Sequence, residues 1–157
     1  MLKEGNKAID FELENQDGHR IKLSDFKNKI VVLYFYPRDL SSGCTKEAQA
    51  FRDYYKKIKE LNGVISGISG DEKELHKKFI EKERLPFSLL VDTNFIVSTL
   101  FNVYKERSMY GRKHMGIERS TFIIDKDEII RKVWRNVKVP GHVEEVIKTL
   151  EEVNKIQ

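Results

Sequence analysis

The sequence predicts an α/β fold in which a central mixed β-sheet is flanked by helices, built as one domain over residues 1–157. Two patterns lead to this fold class. Apolar, β-branched runs typical of buried strands alternate with segments whose apolar residues recur every three or four positions, as on one face of a helix. Near its C-terminal end the chain also has two adjacent strand-like runs followed by a helix, which favours a mixed sheet.

The first predicted strands lie near the N-terminus and at the centre of the sheet. Residues 8–13 and 19–23 flank an Asp-Gly dipeptide, which is typical of a β-hairpin, so we predict an N-terminal hairpin extension. Residues 29–36 (KIVVLYFY) are apolar, β-branched and aromatic almost throughout, which indicates a strand buried on both faces. Pro37 ends that strand because proline has no N–H to donate to a sheet.

The alternation of strands and helices continues through the rest of the chain. A long helix is predicted over residues 44–61, and a last helix over residues 142–153. Between them we predict a strand at 64–69, a helix at 71–84, a strand at 87–91, a short helix at 94–101 and strands at 120–125 and 129–134. This order of elements is that of a thioredoxin-like fold.

Composition argues against several classes of protein. Hydrophobic residues make up 39% of the chain, too many for a largely disordered protein. The 29 Lys and Arg residues are mixed with 25 Asp and Glu residues, so we interpret the net charge of +4 as a solvated surface and expect no nucleic-acid partner. No apolar stretch approaches the roughly 18 residues of a membrane span, and the first residues lack the apolar core of a signal peptide.

The chain contains a single cysteine, Cys44. An internal disulfide and a zinc site built on several thiolates are therefore excluded, and we expect neither a metal nor a cofactor. A free thiol persists in the reducing cytoplasm, which is the expected location. A lone cysteine is by default a small buried hydrophobe. Here, however, a strand, a proline and a polar loop precede the cysteine and a helix begins at it, which favours a reactive thiol.

The residues around Cys44 suit nucleophilic chemistry on an oxygen substrate. A helix N-terminus has unpaired N–H groups and a partial positive charge, both of which favour a thiolate. Ser41 places a hydroxyl three residues before the sulfur, and Pro37 can shield the sulfur from water. Gly43 allows close approach of the backbone, so that the N–H groups of Gly43 and Cys44 can point at a bound oxygen.

This segment, residues 34–48 (YFYPRDLSSGCTKEA), resembles the active-site motif of the peroxiredoxins. The family pattern Pro-x-x-x-Thr/Ser-x-x-Cys is filled here by Pro37, Ser41 and Cys44. The details are most similar to the bacterioferritin comigratory protein (peroxiredoxin Q) subfamily, and further matches occur at residues 5–11, 67–69, 85–87 and 116–125. The resemblance implies a thiol-dependent peroxidase that reduces hydrogen peroxide and organic hydroperoxides, with Cys44 as the peroxidatic nucleophile.

The resemblance also gives roles to two charged residues. Arg119 matches the family's catalytic arginine, which implies contact with Cys44 and the peroxide, and a permanent cation there stabilises the thiolate and the leaving oxygen. Without the resemblance, the sequence favours a different interpretation of Arg119, as a strand-edge residue in a surface ion pair. Glu47 matches the family's acid three residues after the cysteine. It either orients an arginine in the peroxide-binding site or is a first-turn residue favoured by the helix dipole.

Gln49 occupies the position, five residues after Cys44, at which many relatives carry a resolving cysteine. The chain therefore resembles the one-cysteine branch, whose sulfenic acid is resolved by an external thiol, either a thioredoxin-like protein or a low-molecular-weight thiol. We expect a monomer or weak homodimer without a membrane partner. The alternative is a redox-sensing or chaperone-like interaction module on the same scaffold, in which Cys44 reacts once without turnover.

Three other side chains have weaker expectations. His76 is predicted to be a solvated helix residue, and Trp134 is predicted to lie in the core. His114 lies in the predicted loop at residues 110–116, which leads to Arg119, and is a further candidate to line the pocket.

Overall fold

The computed structural model describes residues 2–157 apart from the side chain of Met109. The strands are β1 (Glu12–Asn15), β2 (Arg20–Lys22), β3 (Ile30–Phe35), β4 (Gly63–Ser69), β5 (Ser88–Val91), β6 (Tyr104–Met109), β7 (Arg112–Ile117), β8 (Ser120–Ile124) and β9 (Ile130–Trp134). The helices are α1 (Ser42–Asp53), α2 (Tyr55–Glu60), α3 (Lys73–Glu83), α4 (Ile96–Leu100) and α5 (His142–Ile156), with a 3₁₀ turn at Leu23–Phe26. No helix in the described part of the chain is long and apolar enough to cross a membrane.

Seven strands form one sheet in the order β2-β1-β5-β4-β3-β8-β9. Strands β3, β4 and β5 are parallel, as expected for strands joined by helical crossovers, whereas β8 pairs antiparallel with β3 and β9 pairs antiparallel with β8. The predicted N-terminal hairpin exists as β1 and β2, and β1 also pairs with β5, so the hairpin is one edge of the sheet. The mixed sheet with flanking helices confirms the predicted fold class.

Strand β3 separates two hydrophobic cores because all six of its residues are buried, as the sequence predicts. Its even-numbered residues, together with Tyr36, pack against α1, α2, α3 and α5. Its odd-numbered residues pack against α4 and the N-terminal segment on the other face. Residues in a strand alternate between faces, so each face of the sheet receives its own apolar layer.

The helix predicted over residues 44–61 begins two residues earlier in the structure, at Ser42, and is broken at Tyr54 between α1 and α2. Tyr54 donates its N–H to the Ala50 carbonyl, and its carbonyl accepts from the Ile58 N–H. The chain of hydrogen bonds therefore continues through the break, and the two helices bury the predicted apolar stripe.

The loop predicted at residues 110–116 is wrong, because β6 and β7 form a two-stranded antiparallel hairpin there. The turn is made by Tyr110 and Gly111, both with positive φ, as a tight two-residue turn requires. Sequence patterns missed the hairpin because its strands are mostly exposed on both faces and so lack the alternation of polar and apolar residues that marks a half-buried strand.

Candidate active site

Cys44 lies in the first turn of helix α1, which follows strand β3 in the chain. A loop at residues 37–41 leaves the carboxyl end of β3, and α1 begins at Ser42, so Cys44 is the third residue of the helix. The first hydrogen bond of α1 joins the Thr45 N–H to the Ser41 carbonyl at 2.9 Å. The amides of residues 42–44 precede that bond and have no partner within the helix. The thiol itself is only 1% exposed.

Sheet register brings Arg119 to the same place. Strand β8 runs antiparallel to β3, and Ser120 pairs with Phe35, the last residue of β3. The residue before Ser120 therefore lies beside the loop that carries Cys44. The Arg119 guanidinium lies 3.5 Å from the Cys44 Sγ through Nη2, and Nη1 donates to Glu47 Oε1 at 2.7 Å.

Glu47 lies one helical turn after Cys44, and its side chain is fully buried. Burial raises the pKa of the Glu47 carboxyl to about 7, and the neighbouring Arg119, which lowers this pKa, offsets burial only in part. The second carboxyl oxygen, Oε2, is buried and has no hydrogen-bond partner among residues 2–157. The carboxyl therefore keeps one oxygen free and changes its protonation state near neutral pH.

Tyr34 is a second buried polar group beside this cluster that the sequence did not single out. Its hydroxyl, like Glu47 Oε2, lacks a hydrogen-bond partner within the described residues. Burial raises the pKa of Tyr34 well above its usual range, and the charges of Glu47 and Cys44 raise it further, so the phenol stays neutral. Strand periodicity could have identified Tyr34, because it predicts that this residue lies on the face of β3 that packs against α1.

The remaining predicted site residues surround Cys44 in different ways. A Cβ added to Gly43 would lie 3.1 Å from Arg119 Nη2, so the glycine makes room for the guanidinium. Ser41 is the N-cap residue by position, but its hydroxyl donates to the Arg38 carbonyl at 3.0 Å and makes no side-chain cap bond. Pro37 directly follows the buried Tyr36 and is exposed.

His76 corrects the prediction of a solvated helix residue, because its side chain is fully buried. Its Nδ1 lies 2.6 Å from Asp39 Oδ2, and its Nε2 donates to the Leu90 carbonyl at 2.9 Å. The Tyr36 hydroxyl donates to Asp39 Oδ1 at 2.5 Å. This network, the Asp39 cluster of Tyr36, Asp39 and His76, fastens the loop before Cys44 to α3 and β5. The helical pattern alone could not show that His76 faces a buried carboxylate.

Asp71 brings a third potential metal ligand to Asp39 and His76, although the sequence suggested no metal cluster. Single ligand atoms of the three residues lie within 4.8 Å of one another. Asp39 and His76 already use both of their polar side-chain atoms in hydrogen bonds, and Asp71 Oδ2 accepts from the Asp39 N–H and the Ser69 hydroxyl. The geometry is therefore that of a hydrogen-bonded network, in which a cation would have to displace existing partners.

Two further predictions fare differently. Trp134 is only half-buried, and it packs against the edge of the core formed with α5. There it meets His142 edge to face, with ring centroids 5.3 Å apart. Burial, together with the positive charge of Arg119, lowers the pKa of His142 to about 4, so this histidine stays neutral. His114 is exposed on β7.

Comparisons with known proteins agree with this geometry. Residues 5–133 match the model of the AhpC/TSA family. The chain is 49% identical to peroxiredoxin Bcp of Bacillus subtilis (strain 168) over 150 residues, or 96% of each chain. A cysteine variant of Xylella fastidiosa PrxQ superposes with a TM-score of 0.92 at 35% identity, covering 97% of each chain. The Xanthomonas campestris bacterioferritin comigratory protein, described for its alkyl peroxide reduction activity, superposes with a TM-score of 0.87 at 32% identity, covering 92% of each chain.

These matches cover nearly the whole chain and confirm the resemblance found in the sequence motif. In this chain the Arg119 guanidinium lies 3.5 Å from the Cys44 sulfur, close enough to stabilise a thiolate there. The chain belongs to the AhpC/TSA family as a peroxiredoxin enzyme of the Bcp, or peroxiredoxin Q, type with a single cysteine.

Proposed function

We propose that this peroxiredoxin reduces hydrogen peroxide and organic hydroperoxides with Cys44 as the nucleophile, and that an external thiol resolves the oxidised cysteine. The observation that carries the proposal is the position of Arg119, whose guanidinium contacts the Cys44 sulfur with one nitrogen and Glu47 with the other. Because Glu47 fixes the orientation of the guanidinium, the cation is held next to both the sulfur and the space where a peroxide reacts.

The chemical step balances with these groups. The Cys44 thiolate attacks one peroxide oxygen, the S–O bond forms as the O–O bond breaks, and the leaving oxygen takes up a proton to depart as water or an alcohol. Arg119 stabilises the negative charge that develops on that oxygen. The amides of Gly43 and Cys44 precede the first hydrogen bond of α1 and donate to no other group among residues 2–157, so they can bind the peroxide. Ser41 and Pro37 complete the proposed site, because they lie at the two ends of the loop that leads to Cys44.

The return of Cys44 to its reduced state needs a partner, because the chain has no second cysteine. A thiol attacks the sulfenic sulfur, a mixed disulfide forms and water leaves, and a second thiol then releases the Cys44 thiolate. Gln49 stands where many relatives carry a resolving cysteine. Its side-chain amide donates to Glu83 Oε1 at 2.8 Å and so links α1 to α3. This contact favours a helix that stays folded after oxidation. The proposal includes an antioxidant role in the cytoplasm, where such thiols are kept reduced.

Peroxide consumption measured with dithiothreitol as the donor tests this function, with hydrogen peroxide and cumene hydroperoxide as substrates. Wild type should turn over many times with both peroxides, whereas Cys44→Ser should show no activity above background while unfolding at a similar temperature. Substantial activity in Cys44→Ser would rule the proposal out. Consumption of one equivalent of peroxide per chain, with no turnover, would instead identify a redox sensor.

A further inference from the structure

The hairpin of β6 and β7 carries an excess of positive charge, and β7 ends two residues before Arg119. Residues 104–117 carry four basic residues and one acidic residue, which accounts for three of the four net positive charges of the whole chain. The hairpin is anchored at its root, where Tyr104 stacks on Phe95 with ring centroids 4.3 Å apart and Ile117 is buried. Beyond the root it projects into solvent for most of the length of two six-residue strands, or roughly 20 Å.

The register of the hairpin sorts these charges by face. Residues opposite each other in an antiparallel pair share a face, and Lys105, Arg107, Arg112 and His114 fall on one side, which we call the basic face. On the other face Lys113 lies 3.6 Å from Glu106 in an ion pair. On the basic face, Lys105 lies 3.3 Å from Glu118 in an ion pair, whereas neither Arg107 nor Arg112 has an acidic partner within 4 Å among the described residues. The uncompensated charge is thus on one side of the hairpin.

The tip of the hairpin presents an aromatic ring at a conformational cost. Tyr110 is 98% exposed and adopts a φ of 52°, in the left-handed region that a side chain with a Cβ disfavours by about 1 kcal/mol. An exposed ring in such a conformation gains nothing from the fold of its own chain. The two-residue turn accounts for this φ, and the turn leaves the ring in solvent, where a partner can contact it.

The charges that flank the cysteine have the same sign as the basic face. Around Cys44 the exposed charged residues are Arg38 and Lys46, whereas the acids Asp39 and Glu47 are buried and paired. Two residues after the end of β7 the chain reaches Arg119, which contacts the sulfur, so the root of the hairpin adjoins the site. Any molecule that reaches the oxidised sulfur therefore approaches a positively charged surface.

We propose that the basic face and the ring of Tyr110 form a docking surface for a protein dithiol with an acidic surface around its reactive thiol. The inference rests on the proposed function, which requires an external thiol to reduce Cys44. The partner's first thiolate forms a disulfide with the Cys44 sulfenic sulfur and releases water, and its second thiol breaks that disulfide to free the Cys44 thiolate. A protein bound at Cys44 is large enough to contact a hairpin that extends roughly 20 Å, and opposite charges accelerate the encounter.

The test measures kcat/KM for two reductants, a purified bacterial thioredoxin of acidic isoelectric point with its reductase and NADPH, and uncharged dithiothreitol. Arg112→Gln removes one charge from the basic face, and Lys113→Gln removes the same charge from the opposite face and is the matched control. With thioredoxin, Arg112→Gln should lose about threefold and Arg112→Glu about tenfold, whereas Lys113→Gln should stay within twofold of wild type. With dithiothreitol all three variants should match wild type.

Two further readouts sharpen the test. Tyr110→Asn keeps a residue that tolerates the left-handed turn but removes the ring, so the rate with thioredoxin should fall while the rate with dithiothreitol does not change. Raising salt from 20 to 200 mM should slow wild type with thioredoxin more than it slows Arg112→Glu.

Equal losses in Arg112→Gln and Lys113→Gln, or no loss in Arg112→Glu, would overturn the docking surface while leaving the peroxidase intact. Binding of a 20-nucleotide single-stranded DNA that depends on Arg112, without any effect on thioredoxin, would also overturn it in favour of a nucleic-acid site. Failure of wild type to turn over with dithiothreitol would instead remove the proposed function.

Discussion

Two buried charged clusters lie beyond the carboxyl end of strand β3, and they differ in how completely their hydrogen bonds are satisfied. In the Asp39 cluster both carboxylate oxygens and both ring nitrogens of His76 have partners. In the cluster of Cys44, Glu47 and Arg119, Glu47 Oε2 lacks a partner among the described residues, and Arg119 remains 16% exposed. A saturated network can only hold its geometry, whereas an unsaturated one retains groups that can bind a substrate or exchange a proton.

The Asp39 cluster should therefore dominate stability. His76→Ala leaves the Asp39 carboxylate buried with only the Tyr36 hydroxyl as a side-chain partner, and loss of one member of a buried pair costs about 3 to 5 kcal/mol. Urea unfolding monitored by circular dichroism measures this loss. His76→Gln keeps a donor for Asp39 and should lose distinctly less. Equal and small losses in both variants would show that the network contributes little to the fold.

The cluster of Cys44, Glu47 and Arg119 should instead dominate catalysis. Arg119→Ala removes the cation beside the sulfur, and by analogy with other lost transition-state donors kcat/KM for peroxide should fall by about 10² to 10³, or roughly 3 to 4 kcal/mol of barrier. The ultraviolet absorbance of the thiolate should also decrease at a given pH. Arg119→Lys, which keeps the charge but cannot contact Glu47 and Cys44 together, is the matched control and should recover only part of the rate. A rate within twofold of wild type in Arg119→Ala would contradict the assigned role.

The pH dependence of stability should separate Glu47 from His142. The Glu47 carboxyl has a pKa of about 7 in the folded protein against an ordinary value of 4.5, so its contribution is fully present below pH 4.5 and is lost as the pH rises through 7. The His142 imidazole has a pKa of about 4 against 6.5, so its contribution is present above pH 6.5 and is lost as the pH falls through 4. Between these limits the two effects oppose each other.

Single substitutions of Glu47 and of His142 should separate their contributions to the pH dependence of stability. Relative to wild type, Glu47→Gln should gain stability by up to about 3 kcal/mol as the pH rises from 5 to 8, because the variant no longer buries a charge there. His142→Asn should gain relative stability as the pH falls from 6.5 to 4. Urea unfolding at several pH values gives both differences, and a pH-independent difference for either variant would show that the corresponding group does not titrate as described.

The smallest expected effect concerns Gln49 and the fate of the oxidised sulfur. Gln49→Cys removes the hydrogen bond to Glu83 and should cost about 1 kcal/mol of stability. Residues five apart on one helix point to different faces, so a disulfide with Cys44 forms only if α1 opens. Intact mass after graded peroxide distinguishes the outcomes. Wild type should gain one oxygen and then two, whereas the variant should lose two hydrogens and resist over-oxidation. Conversion of wild type to a covalent dimer without added thiol would contradict a persistent sulfenic acid.

Much of the fold could be predicted because it depends on local patterns. The run at residues 29–36 is apolar at nearly every position, and only a strand buried on both faces needs that composition. The β6–β7 hairpin could not be predicted in the same way, since its strands bury little beyond their root and its turn is a Tyr-Gly pair in place of the more common Asn-Gly. The break at Tyr54 leaves the apolar spacing unchanged, so it has no signature in the pattern.

The sequence by itself determined the single cysteine, its place near a helix start and the family, because these reside in one contiguous motif and in its spacing. Only the tertiary structure decided which distant residues meet that motif. Arg119 reaches Cys44 because β8 pairs with the end of β3, and His76 is buried because α3 packs over Asp39. Both are contacts between residues more than thirty positions apart. Such contacts depend on strand register and on the packing of helices against a sheet, which no short stretch of sequence encodes.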